Sequence, residues 1–242
     1  MNAKNGEERN QLVRGMFARI AGRYDLLNRL MTFGRDRAWR KEAIRKLQVK
    51  SGQRILDAGS GTGDIALEIK HIEPTARVVA ADLTLEMIKV GRVRPGGKLV
   101  DWVVADAQHL PFSTGTFDSV ISGYLLRNVP DVGIALAEQY RVSTESARFV
   151  SLDTTPPPRN IFLPFIRFHL KVVIPLLGRL IAGDSAAYTY LPETTTRFLS
   201  AEALAQKIAE AGFQVEGFVR RMFGSMAIHW ALKISEPSGK SK

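Results

Sequence analysis

Three aspartates stand at the ends of three short apolar runs: Asp57 in "RILDA", Asp82 in "RVVAAD" and Asp106 in "DWVVAD". Between the first two lies "LDAGSGTGD", residues 56–64, in which Gly59, Gly61 and Gly63 alternate with Ser60 and Thr62. Glycines at this spacing let a backbone turn sharply, adopt positive φ and press close to a ligand. Asp82 follows the turn by about 20 residues, where an acid can accept hydrogen bonds from ribose hydroxyls. Taken singly, Asp82 reads equally well as a helix-capping residue ahead of Thr84 and Glu86, and Asp106 as a turn aspartate. Taken together, three acids ending three successive strands face one crevice, because ligands in an open α/β sheet bind outside the carboxyl ends of its strands. The spacing G-x-G-x-G differs from the G-x-G-x-x-G of dinucleotide enzymes, which disfavours a nicotinamide dehydrogenase.

A second group follows the fourth and fifth predicted strands: Gly123, Tyr124, Arg127 and Asn128 after "FDSVIS", and Asp153 at the end of "ARFVSLD". The chain has no cysteine, which excludes disulfides, thiolate metal sites and a cysteine nucleophile. His71, His109, His169 and His229 are scattered without ligand spacing, so no metal site is expected.

These residues need elements to hold them. From Glu7 to Leu47, apolar residues recur at helical spacing with Arg and Lys on the other face, interrupted at Gly22 and Gly34. From Arg54 to about Leu152, apolar strands alternate with helices, the signature of βαβ units in a parallel sheet covered on both faces. After Pro156 come the loop "TPPPRN", a strongly apolar stretch from Ile161 to Ala182, a helix in "SAEALAQKIAEAG" with Ser200 as N-cap and Gly212 at its end, and two closing strands near Phe213–Val219 and Ala227–Ile234. The expected class is α/β, doubly wound. Its divisions are an N-terminal helical segment over 1–48, a main domain over 49–234 with a helical insertion at about 156–198, and a disordered tail over 235–242. With 242 residues and 45% hydrophobic content, the chain suits one domain, or one domain plus a lid.

The pattern D-x-G-x-G-x-G over Asp57–Gly63 resembles motif I of class I S-adenosylmethionine-dependent methyltransferases. "YDLLNRLMTFGRDRAWRKEAI", "DAQHLPFSTGTFDSVISGYLLRNVPD" and "AYTYLPETTTRF" followed by "AGF" are similar to the UbiE/MenG family of quinone C-methyltransferases, with "LRNV" at Leu126–Val129 the most distinctive piece. The resemblance spans roughly residues 10 to 233. It implies a seven-stranded, mostly parallel Rossmann-like sheet and S-adenosylmethionine held by Asp57, Gly59, Gly61, Thr62, Gly63, Asp82, Leu83, Asp106, Ala107 and Gly123. Asp57 would assist the cofactor's ammonium, and Asp106 would take the adenine amino group beside the backbone of Ala107. The implied reaction is C-methylation of a prenylated quinol, demethylmenaquinol before a ubiquinol precursor. Arg127 and Asn128 are expected to orient the quinol oxygens, with Asp153, together with Tyr188 or His229, handling the proton. Three places depart from the family pattern: "RVSTESAR" stands for "RVLKP" and its glycine pair, "LDTTPPP" for the "LEFS" strand end, and "SGYLLRN" for "SFGLRN".

Net charge is +10, which suits an anionic partner. Pro164 and Pro175 interrupt the Ile161–Ala182 stretch, and Arg167, His169, Lys171 and Arg179 stud it, so it suits an interface helix better than a spanning one. It serves either transient docking on an anionic membrane surface, or as a lid, or as a contact in a homodimer. The amino terminus is too polar for a secretory signal, and a cytoplasmic, soluble protein, peripheral at the inner face of the membrane, is the expectation. Two other classes stay open: a methyltransferase for another small molecule or RNA, and a catalytically silent binding module. Nucleic acid is disfavoured as a partner, because "GYLLRN" stands where an amino-methylating enzyme carries an acid or Asn, then Pro-Pro and an aromatic.

Overall fold

The computed structural model describes residues 6–157, 161, 163–168, 172–173, 176, 194–195 and 197–234. Five strands pair in parallel: β1 (Arg54–Ala58), β2 (Arg77–Asp82), β3 (Asp101–Val104), β4 (Phe117–Gly123) and β5 (Ser143–Thr154). Two more, β6 (Gln214–Arg221) and β7 (Met226–Leu232), complete a seven-stranded sheet in the order β3-β2-β1-β4-β5-β7-β6. β7 runs antiparallel to both of its neighbours. The central strands read as unbroken apolar runs because both faces are covered; Ile55, Leu56, Val120, Ile121, Phe149 and Val150 are fully buried.

Helices clothe the two faces. On one, α3 (Asp36–Leu47) and α4 (Asp64–Ile72) pack Trp39, Ala43, Ile44, Leu47, Ile65 and Ile69 against Ile55, Ile121 and Val150. On the other, α6 (Val132–Val142) and the helix Ala201–Glu210 pack Leu136, Val142, Leu204 and Ile208 against Leu56, Val120 and Phe149. The Asp131 carboxylate caps α6 by accepting from the Gly133 and Ile134 N–H groups. The Ser200 hydroxyl caps the later helix by accepting from Ala203, and Gly212, at φ +105°, turns the chain away from its end. Before the sheet, α1 (Gly6–Ile20) and α2 (Tyr24–Met31) are separated by a 3₁₀ turn over Ala21–Arg23, and Gly34 at φ +73° lies between α2 and α3. α5 (Leu85–Val93) follows β2. Leu163–Phe168 is helical. Apart from residues 161, 172–173 and 176, the rest of the expected insertion that falls within 158–193, Tyr188 included, and the expected tail over 235–242 lie outside the described residues.

Winding reverses between β1 and β4, with β2 and β3 built outward on one side and β5 on the other. The loops leaving β1 and β4 therefore part and open a crevice at the carboxyl edge.

Candidate functional site

The glycine turn hangs from β2. Gly59 and Ser60 donate their N–H groups to the Ala81 carbonyl at 2.8 and 3.0 Å, and Gly61 donates to Asp82 Oδ2 at 2.8 Å. All three glycines have positive φ, for different reasons. A Cβ on Gly59 would lie 2.6 Å from Leu125 Cδ1, and one on Gly63 would lie 2.4 Å from the Trp102 ring. Around Gly61, at φ +56°, no described residue beyond its chain neighbours lies within 4 Å of that position, and the residue faces a cavity.

Gly59, Gly61, Asp82, Leu83, Asp106, Ala107 and Gly123 all line this first cavity, and Asn10, Phe17 and Tyr24 from the N-terminal helices help close it. Thr62 and Gly63, expected at the cofactor, are not part of its wall. The Thr62 hydroxyl donates to Asp25 Oδ1 at 2.7 Å, its carbonyl accepts from Arg94, and Gly63 is fitted to Trp102. Both residues hold the turn in place. Asp25, Arg94, Asp64, Arg40 and Asp36 continue that contact as a chain of ion pairs joining α2 and α3 to the first turn of α4.

Asp57 is 1% exposed and sits under the turn, outside the cavity wall. Its Oδ2 accepts from the Ala66 N–H at 3.1 Å, while Oδ1 has no partner among the described residues. Burial pushes this carboxyl up to about 8; the Ala66 hydrogen bond opposes the rise and the charge of Asp82 adds to it. Asp82 is raised too, by burial, against hydrogen bonds from the Thr84 and Gly61 N–H groups. Asp106 accepts from the Asn10 side-chain amide at 2.9 Å and from the Gln108 N–H. The Asn10 amide thus occupies one carboxylate oxygen and the Gln108 N–H the other.

A second cavity of about 390 Å³ lies beside the first, among Met31, Trp39, Arg127, Phe165, Met222 and Met226. Tyr124 belongs to the walls of both. Arg127 reaches the second cavity from behind: it is 6% exposed and its guanidinium donates to Asp153 Oδ1 at 2.7 Å. Burial disfavours the Arg127 charge, and the Asp153 carboxylate together with Tyr24 and Tyr124 outweighs it, so the pKa is raised. Asp153 also accepts from the Arg127 and Thr154 N–H groups, and it lines neither cavity. A carboxylate so engaged holds Arg127; it is not placed as the base the sequence suggested. Asn128 lines the first cavity. Its amide donates to the Tyr124 carbonyl at 2.8 Å, and its Oδ1 is buried without a partner among the described residues.

His229, the other expected proton carrier, is a core residue. It lies on β7 opposite Ser151, is fully buried, and lines neither cavity. Its Nε2 donates to the Ala201 carbonyl at 2.8 Å, its ring lies beside Phe218, and burial lowers its pKa. Alternation along β7 turns the imidazole toward the helix Ala201–Glu210, away from the crevice. Tyr24 and Asn10 went unnoticed in the sequence because Tyr24 reads as one more apolar helical position, and nothing local to "GEERN" points at Asp106, 96 residues away.

A family model described as the ubiE/COQ5 methyltransferase family matches residues 3–233. The ubiquinone/menaquinone biosynthesis C-methyltransferase UbiE of Desulfotalea psychrophila is 46% identical over 221 residues, 91% of this chain and 90% of that protein. The demethylmenaquinone methyltransferase of Thermus thermophilus is 44% identical over 216 residues, 88% of this chain and 98% of that one. Among solved structures, a SAM-dependent methyltransferase of Thermotoga maritima superposes with a TM-score of 0.64 at 19% identity, covering 91% of this chain and 99% of that one, a likeness of fold.

Proposed function

The chain belongs to the ubiE/COQ5 methyltransferase family, and we propose that it transfers a methyl group from S-adenosylmethionine to a ring carbon of a prenylated quinol, demethylmenaquinol in the first place. The observation that carries this reading is the pair of cavities meeting at Tyr124. One is walled by the glycine turn, Asp82 and Asp106, and the other is larger, mostly apolar and holds a buried arginine.

The residues present fit the cofactor. Gly61 leaves a bare backbone on the first cavity, Asp82 and Asp106 offer acceptors for ribose hydroxyls and an amino group, and Asp57 Oδ1 is a buried acceptor unmatched among the described residues. When bound, S-adenosylmethionine supplies an activated, electrophilic methyl group. The protein must present the quinol ring in line and exclude water. Arg127 does more than orient. Its charge, held by Asp153, lowers the pKa of a quinol hydroxyl set against it and so favours the phenolate that makes the adjacent carbon nucleophilic. Asn128 fixes the Tyr124 carbonyl and with it the loop that carries both residues.

The prenyl tail suggests where the enzyme works. No helix among the described residues is long and apolar enough to cross a membrane. Phe33, 69% exposed at φ +53°, and Phe223, 54% exposed at φ +54°, border the second cavity together with Phe165 and Arg35. Exposed aromatic residues beside Arg35 on the wall of this cavity suit transient contact with an anionic bilayer surface, from which a prenylated ring enters. Sedimentation with anionic vesicles tests this: binding at low salt that falls at high salt is expected, and none at low salt removes the membrane contact.

Activity is tested with purified protein, methyl-labelled S-adenosylmethionine and reduced demethylmenaquinone in detergent, with bulk RNA in parallel. Label in the quinone is expected. Label in RNA alone, or in neither, overturns the reading.

A further inference from the structure

We infer that Tyr124 is a catalytic residue whose phenol donates a hydrogen bond to the quinol oxygen beside the carbon that receives the methyl group, opposite or alongside Arg127. The inference rests on the quinol reading above and goes beyond it by assigning a donor.

Tyr124 is the only one of the described residues that lines both cavities, so it stands where donor and acceptor must meet. Its backbone lies in the left-handed region at φ +60°, a conformation a bulky residue adopts only where its surroundings impose it. Two hydrogen bonds impose it here: the Tyr124 N–H donates to the Leu152 carbonyl at 2.7 Å, and the Tyr124 carbonyl accepts from Asn128 Nδ2. Two guanidinium groups approach the ring, with Arg127 Cζ at 5.0 Å and Arg40 Cζ at 5.4 Å from its centroid. They steady the aromatic body by cation–π attraction. That hydroxyl is buried, and no described residue takes its hydrogen bond. A buried phenol normally finds a partner; a ring oxygen of the substrate supplies one.

Burial raises the phenol pKa, although both arginine charges pull it down, so the group is a protonated donor at neutral pH. A neutral donor and a cation on one developing phenolate divide the work: the charge favours ionisation, and the directional hydrogen bond selects which oxygen is held. The residue sits in "SGYLLRN", where the chain departs from the family's "SFGLRN".

Tyr124→Phe removes one oxygen and keeps the ring beside its arginines. With reduced demethylmenaquinone, kcat is expected to fall on the order of 10²-fold, with S-adenosylhomocysteine affinity within about twofold of wild type. The pH–rate limb that reports substrate ionisation should move to higher pH, because the phenolate loses a donor. Activity within about threefold of wild type with an unmoved limb overturns the assignment. Should Tyr124→Phe fail to melt cooperatively, 3-fluorotyrosine at position 124 keeps the shape and makes the phenol more acidic; a displaced limb supports the assignment and an unmoved one refutes it. If wild type transfers no methyl group to the quinol, the proposed function falls and this inference with it. If wild type is active and Tyr124→Phe matches it, the Tyr124 assignment alone fails.

Discussion

Asp57→Asn isolates a carboxyl that is buried under the glycine turn with one oxygen unmatched among the described residues. Its pKa rises from an ordinary 3.8 to about 8 on folding. Between those values the unfolded chain carries Asp57 ionised while the native protein keeps it protonated. Because the folded pKa is the higher one, the contribution to stability is fully present below about pH 4 and is lost as pH rises through 8, at about 1.4 kcal/mol per pH unit. At pH 7 the loss approaches roughly 4 kcal/mol. Asparagine is neutral throughout and retains an acceptor for the Ala66 N–H, so the variant escapes this loss. For a chain of this size each kcal/mol moves Tm by about 2–4 °C. Scanning calorimetry of ligand-free protein should therefore show the variant melting at least about 3 °C above wild type at pH 7 and level with it at pH 4. If the cofactor's ammonium sits over the glycine turn, within electrostatic reach of Asp57, its charge favours the carboxylate and expels the proton. Titration with S-adenosylmethionine in two buffers of different ionisation heat should then report release of up to about one proton at pH 7 for wild type and none for Asp57→Asn. A Tm difference that does not change with pH, together with buffer-independent heats for wild type, would refute this account of Asp57.

Two glycine variants should separate packing from binding. Gly63→Ala drives a methyl group into Trp102 and should lower stability by about 1–3 kcal/mol in denaturant melts, whereas Gly61→Ala costs about 1 kcal/mol and weakens S-adenosylhomocysteine at least about tenfold by calorimetry; binding within twofold for Gly61→Ala refutes the cavity assignment. Arg127→Ala leaves the Asp153 carboxylate buried without its guanidinium, so a loss of about 3–5 kcal/mol is expected in the melt, with turnover abolished and cofactor affinity within a few-fold; an active variant sinks the role of Arg127. His229→Gln keeps a donor for Ala201 and should lower stability by no more than about 2 kcal/mol while leaving the pH–rate profile in place; a displaced profile would return His229 to proton chemistry.

The parallel half of the sheet was readable because each buried strand is a short apolar run, and those of β1 to β3 end near an aspartate and a turn. Asp82 and Asp106 followed directly, since a strand's carboxyl end dictates which way the next residue faces. What escaped depends on partners far along the chain. Thr62 looks like a ligand contact until Asp25, 37 residues earlier, takes its hydroxyl. Asp153 looks like a base until Arg127 claims it, and His229 joins the core because β7 pairs antiparallel with β5. The left-handed backbone at Tyr124 carries no local signature either, since "SGYLL" contains a glycine one position too early to mark it.

The placement of β7 between β5 and β6 reaches back to how the chain is made. The sheet cannot be finished in order of synthesis, because the penultimate strand takes the outer place and the final one must slip in between. Until residues 226–232 clear the ribosome, the flank of β5 is an open seam inviting a stray strand from a neighbour. A premature stop near residue 225 would do more than shorten an edge, since it would cast β6 adrift and strip the cover from Ser151 and Asp153 together.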